Sequence, residues 1–318
     1  DDDAERDLDP RHVVPLLLAR KLTEAEAASD SRVQGEDSYR FLLVMPRAKR
    51  DLSDALAHYR FAGRERRQVV VILAQVAAHL RYLNEICGRI HGDLKPRNLI
   101  LLELDTVDED GVVTGTEWTW CVIDLDASCK IGDVAGQKIT SSAYFPPEMA
   151  RRELAAADDA QRPSVVASVG FEMWYFGCLV YQLCTLDGAT LWLMNQADNI
   201  DEADLQTLAH KWPELHAAKM DKIVWPQAKH LVEWLLQEDV RRRPKSWEQV
   251  MQHPFLRSEA GTATHKRVVM SCPEMGTIDP DGCSGPYDQH VMEKISELSD
   301  LEFVKLGFDR AGTSTAVK

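Results

Sequence analysis

Apolar residues change their period along the chain. Over residues 12–19 (HVVPLLLA) and 39–46 (YRFLLVMP) they run in short continuous blocks. Such blocks predict two strands, joined here by a polar loop containing Gly35, Glu36 and Asp37. From Asp51 the spacing turns helical, first in DLSDALAHY and then from Glu65 to Leu83, where Val69, Ile72, Leu73, Val76 and Leu80 share one side. LILLEL (99–104) and WTWCVIDL (118–125) read as a strand pair, with Asp110-Gly111 between them as a hairpin signal. FEMWYFGCLVYQLC is apolar nearly all round, which predicts a helix buried on every side. Helices then continue to Leu256, separated by Pro213, Pro226 and Pro244. Past Arg257 the composition shifts to Gly, Ser, Thr and Pro, a plausible boundary, and the tail offers one amphipathic helix (Gln289 to Leu298) and strands in KRVVM and EFVKLGF. There is no internal repeat.

With 318 residues, 45% of them hydrophobic, the chain is long enough for two units of domain size. The longest apolar run, Val69 to Leu80, is broken by Gln75 and His79 and is expected to be a packed helix rather than a bilayer span. A net charge of -14 argues against general nucleic-acid binding, which rewards clustered cations. The basic clusters at 47–50, 64–67 and 241–245 are expected to be solvated faces or structural ion pairs. The sequence opens on Asp1-Asp2-Asp3 with no apolar leader, and none of its seven cysteines forms a CxxC pair. Both features point to reduced thiols and a cytoplasmic address.

Candidate chemistry concentrates in IHGDLKPRNLI, residues 90–100, where an acid, an amine and an amide stand just before an apolar strand. If Asp93, Lys95 and Asn98 lie on a loop ahead of a buried strand, their side chains converge on one pocket. A second acid, Asp124, closes the hairpin partner strand and would arrive beside Asn98. Phosphoryl transfer needs this inventory: a carboxylate to take a proton from the attacking hydroxyl, an amine to offset phosphoryl charge, and an amide with a carboxylate to hold magnesium.

The same residues resemble a known family. HGDLKPRN is similar to the catalytic loop H-R-D-L-K-P-x-N of eukaryotic protein kinases, and Asp124-Leu125-Asp126 falls where that family has D-F-G. Aminoglycoside and choline kinases carry a similar HGDL-x-x-x-N. Three later segments favour the protein-kinase branch: SSAYFPPE (141–148) resembles T-x-x-Y-x-A-P-E with Ser141 at the Thr, EMWYFG (172–177) resembles D-x-W-S-x-G, and DVRRRP (239–244) followed by HPFL resembles D-P-x-x-R-P and the closing helix. The resemblance implies an α+β, two-lobed fold: residues 1–50 as a partial small lobe and hinge, 51–257 as the large lobe, and 258–318 as an extension. It implies ATP and Mg2+ as cofactors, a protein substrate, and a regulatory protein partner as a possibility, with neither nucleic acid nor membrane. Asp93 would be the catalytic base, Lys95 the phosphoryl contact, and Asn98 and Asp124 the magnesium ligands. Met45 would be the gatekeeper, with Arg47 and Ala48 on the hinge beside the nucleotide. Asp51 could bond a ribose hydroxyl or cap the next helix. Arg243 would pair with Glu148 in the interior. Lys95 is the residue serine/threonine kinases use at its position.

The sequence also departs from the pattern. No glycine-rich strand pair, strand lysine or helix glutamate precedes HVVPLLLA, which implies either a piece of a longer kinase or a kinase-like scaffold that binds partners without catalysis. A small-molecule phosphotransferase is a further alternative. Gly92 replaces the arginine that pairs with a phosphorylated activation loop, and Asp126 replaces a glycine whose backbone angles are expensive for other residues. Residues 106–117 nearly match a calcium loop but are expected to form an acidic, solvated turn. His91 is expected to be structural, and Trp212, Trp225, Trp234 and Trp247 to be core.

Overall fold

The computed structural model describes residues 12–14, 18–21, 41–107, 112–136, 138, 140–155, 163–257 and 267–269. The chain divides into two compact units. One comprises Asp1–Arg50, Leu101–Thr119 and His265–Lys318, the other Asp51–Ile100 and Trp120–Thr264.

Strands β1 (Leu18–Lys21) and β2 (Phe41–Val44) pair antiparallel, with Leu18 opposite Val44. Of the strand expected over 12–19, Leu18 and Ala19 are paired, His12 and Val13 lie in a turn, and residues 15–17 lie outside the described residues. Strand β3 (Arg50–Asp51) leads into helix α1 (Leu52–Tyr59), and Arg60 at φ 51° ends that helix. Helix α2 (Arg66–Arg81) buries Val69, Ile72, Leu73, Val76 and Leu80, the side its spacing predicts. It passes into a π turn over Tyr82–Ile86, where the Cys87 N–H reaches the Tyr82 carbonyl at 3.1 Å. Arg66–Ile86 is long and apolar enough to cross a membrane by length and composition, but 56% of its apolar window is buried within the protein, as in a core helix.

After β4 (Arg89–Ile90) and a 3-10 turn at Pro96–Asn98 come the two hairpin strands, β5 (Leu99–Val107) and β6 (Val113–Val122). They sit in a four-stranded sheet of order β3-β5-β6, with β8 (Arg267–Val269) also paired to β5. Both strands run longer than the sequence suggested. The turn residues 108–111, and with them the core of the calcium-like loop, lie outside the described residues, as do the helix expected at 289–298 and the strand in EFVKLGF. Strand β7 (Cys129–Lys130) pairs with β4.

The second unit is mainly helical: α3 (Pro147–Leu154), α4 (Val169–Cys184), α5 (Glu202–His210), α6 (Trp212–Met220), α7 (Pro226–Leu235), α8 (Trp247–Met251) and α9 (Pro254–Arg257). Every residue of α4 from Phe171 to Cys184 is buried, and Ser168 caps it by accepting the Phe171 N–H at 3.1 Å. Gly177 lets the chain after α7 approach closely, because a Cβ there would meet Leu236 Cδ2 at 2.6 Å. Trp212 and Trp247 are buried as expected and place their N–H groups on the Leu236 carbonyl (2.9 Å) and Asn84 Oδ1 (2.7 Å); Trp225 and Trp234 are half-buried. Two basic clusters supply ion pairs, Arg64 with Asp187 at 3.0 Å and Arg241 with Asp239 at 2.9 Å. The five described cysteines are free thiols.

Candidate active site

The segment from Ile90 to Leu99 turns back on itself, and buried side chains hold it there. His91 is fully buried; its Nε2 lies 2.9 Å from the Ile123 carbonyl and its Nδ1 accepts the Asp93 N–H at 3.2 Å. The Asp93 bond fixes the ring proton on Nε2, which donates to Ile123. From α4, the buried Glu172 carboxylate accepts the His91 N–H. Burial pushes the Glu172 carboxyl up, and the His91 ring and the N–H groups of His91 and Gly92 oppose that shift. This acid in the first turn of an apolar helix thus tethers the loop, a role the sequence did not assign, where Glu172 entered only as the match to the first acid of D-x-W-S-x-G.

Asp93 is 7% exposed. Its Oδ2 lies 2.9 Å from Lys95 Nζ and 3.4 Å from Asn98 Nδ2, and its Oδ1 accepts the Ser141 N–H at 3.2 Å. Lys95 Nζ also donates to Ser141 Oγ at 2.7 Å. An acid, an amine and a hydroxyl from segments 46 residues apart are therefore knitted into one cluster. Asn98 donates from Nδ2 to the Asp93 carbonyl at 2.9 Å, which leaves Oδ1 as the free end of the amide among the described residues.

Asp124 follows directly on a residue pinned to Asn98, since the Ile123 N–H reaches the Asn98 carbonyl at 3.0 Å. Its backbone is left-handed at φ 66°, ψ 70°, its side chain is exposed, and it makes no hydrogen bond or ion pair among the described residues. The strained angles expected at Asp126 thus fall on Asp124. Asp126 lies in the 3-10 turn Leu125–Ala127 and pairs with Lys138, so its carboxylate is already engaged. Aspartate tolerates the left-handed region better than bulky residues do.

A carboxylate and an amide oxygen without protein donors make a hard-oxygen set. Hard oxygens of this kind are what magnesium and calcium take as ligands. Among the described residues no group of three or more His, Cys, Asp or Glu side chains is placed to hold a metal ion. Asp51 Oδ1 accepts the Asp54 N–H at 2.8 Å, so this carboxylate does cap α1, and burial raises its carboxyl above the usual range. Met45, Arg47 and Ala48 lie in the first unit, between β2 and β3, with Met45 and Ala48 half-buried and Arg47 exposed.

Also beside the first turns of α4, Arg243 is 1% exposed and grips Glu148 with two bonds of 2.7 and 2.8 Å. It also donates to the carbonyls of Gln237, Gly170 and Glu238, and its guanidinium lies 5.0 Å from the Trp174 ring centroid. The expected interior pair is present. Residues 31–256 match the model of the protein kinase domain. The chain belongs to the protein kinase family. The kinase is 27% identical over 176 residues to calcium-dependent protein kinase 34 of Arabidopsis thaliana, covering 54% of this chain and 27% of that protein. It is 29% identical over 133 residues to serine/threonine-protein kinase srk1 of Schizosaccharomyces pombe, covering 35% and 21%. Against calcium/calmodulin-dependent protein kinase type II of the same yeast it is 23% identical over 213 residues, covering 59% and 38%. The matches thus span a fifth to two fifths of these relatives' lengths.

Proposed function

We propose that this kinase transfers the γ-phosphate of ATP to serine and threonine hydroxyls of protein substrates. The carrying observation is the cluster of Asp93, Lys95 and Ser141 with Asn98 at its edge, inside a chain of the protein kinase family. In this reading Asp93 accepts the proton of the attacking hydroxyl at its carboxylate, and its bonds to Lys95 Nζ, Asn98 Nδ2 and Ser141 N–H fix where that carboxylate points. Lys95 carries positive charge beside the transferring group, and Ser141 Oγ holds the ammonium in place. Asn98 Oδ1 and the Asp124 carboxylate would hold magnesium, which supplies neutralisation of phosphate charge when bound. Met45, Arg47, Ala48 and Asp51 belong to the nucleotide side of the same proposal. Residues 51–257 act as the large lobe, residues 1–50 as the end of the small lobe, and 258–318 as an extension. Free thiols support a reducing, cytoplasmic address.

Phosphoamino-acid analysis after incubation with labelled ATP and a mixed Ser/Thr/Tyr peptide pool tests the specificity. Label on phosphoserine and phosphothreonine is expected; label confined to phosphotyrosine overturns it.

A further inference from the structure

Strand β6 runs well past its buried part. Trp120, Cys121 and Val122 are buried, whereas every residue from Val113 to Trp118 is exposed. Burial therefore does not account for the outer half of the strand. β6 is also the last strand of its sheet, paired with β5 and with no other strand among the described residues. An open edge invites a further strand, and proteins usually blunt it with lysine, proline or a cover. The strand reads VTGTEWTWCV, without lysine or proline and with Glu117 as its single charge. It is rich instead in Thr, Val and Trp, the residues that favour strands.

Two bonds fix which way each peptide of β6 points. Just past its end, the Ile123 N–H reaches the Asn98 carbonyl at 3.0 Å, on the side of β5. The Trp120 N–H instead meets Gln75 Oε1 of α2 at 3.2 Å, on the outer side. Directions alternate along an antiparallel ladder, so Thr116 and Trp118 point outward with Trp120, while Gly115, Glu117 and Thr119 turn toward β5. Gln75 covers the outward N–H of Trp120; Thr116 and Trp118 have no such cover among the described residues. The Trp118 ring remains 41% exposed with the Lys49 ammonium 4.7 Å over it.

We infer that the outer part of β6 pairs antiparallel with the same strand of a second copy of this chain, about a twofold axis at Thr116. The strand's own order of residues names the occupant. With the axis at Thr116, outward groups meet outward groups: the two Thr116 residues exchange both N–H to carbonyl bonds. Trp118 then comes opposite Thr114, Glu117 opposite Gly115 and Thr119 opposite Val113. No like charges face each other, and aromatic residues opposite β-branched ones are favourable pairs. Neighbouring axes fail. One at Glu117 sets two carboxylates face to face, and one at Trp118 needs the Trp120 N–H that Gln75 already holds. One at Gly115 draws the hairpin turn into the ladder. The chain's own tail places its described strand, β8, on the opposite side of β5. This contact is independent of phosphoryl transfer.

The test is the mass of the full chain by light scattering across about 1–200 μM, in about 0.15 M salt to screen the repulsion between two acidic chains. Wild type is expected to rise from the 35.9 kDa of one chain toward twice that mass. Thr116→Pro removes an outward N–H and no bond to β5, so it folds, and it should weaken association about tenfold or more. Thr116→Cys places two thiols across the axis, with Cα atoms about 5.5 Å apart, and mild oxidation should link the copies at least about fivefold faster than in wild type or Glu117→Cys. The two residues at 117 lie diagonally, beyond the about 7 Å that a disulfide spans. A wild type that stays monomeric throughout, or one whose association Thr116→Pro leaves untouched, overturns the contact. Glu117→Cys linking as fast as Thr116→Cys overturns the axis.

Discussion

At Gly92 the backbone has φ +82°, and a Cβ would sit 2.7 Å from the Ala127 carbonyl oxygen. The sequence showed that the arginine usual at this position is missing; the fold shows why no side chain fits. Replacing Gly92 with Ala should lower unfolding free energy by about 1–3 kcal/mol, through the left-handed angle and the close carbonyl together. Urea titration measures this, and unchanged stability would mean that the loop does not hold this geometry in solution. Asp124 makes the converse point. The sequence placed the conformational cost two residues later, at Asp126, by analogy with a glycine. In the structure the Ile123 peptide is held by both Asn98 and His91, and the turn out of the strand is made by the residue that follows it. Such a shift depends on which peptide the neighbours grip, which no single-residue preference encodes.

Helices were more legible than strands. The stripe on α2 and the all-round apolar α4 follow from period and burial, and both occur as the spacing predicts. Strand β1 shares only Leu18 and Ala19 with the block that predicted it and runs on to Lys21, since an apolar block reads the same whichever residues pair. Between elements, the interaction of greatest consequence is Arg243 with Glu148 at the start of α3. Arg243→Ala leaves that carboxylate and three backbone carbonyls without their donor and should cost about 3–5 kcal/mol. Arg243→Met combined with Glu148→Leu removes both charges and should recover part of the loss. Thermal denaturation of the two variants separates the outcomes. A double variant no more stable than Arg243→Ala would show that the carbonyl contacts, rather than the charge pair, carry the effect.

Across the whole molecule, the candidate site was legible because its residues lie in one short stretch plus one strand end, where sequence order nearly fixes spatial order. The partners that position them come from far along the chain: Ser141 and Glu172 entered the sequence reading only as parts of family motifs and Asp198 not at all, and their roles emerge from the fold that brings them to the loop. The central claim is that Asp93, oriented by Lys95, Asn98 and Ser141, is the base of a phosphoryl transfer. Its most direct test is the rate of transfer from labelled ATP by the full chain, wild type against Asp93→Asn, with equal thermal stability confirmed for the two. A drop of about a hundredfold or more is expected. Equal rates in two equally folded proteins would contradict the account.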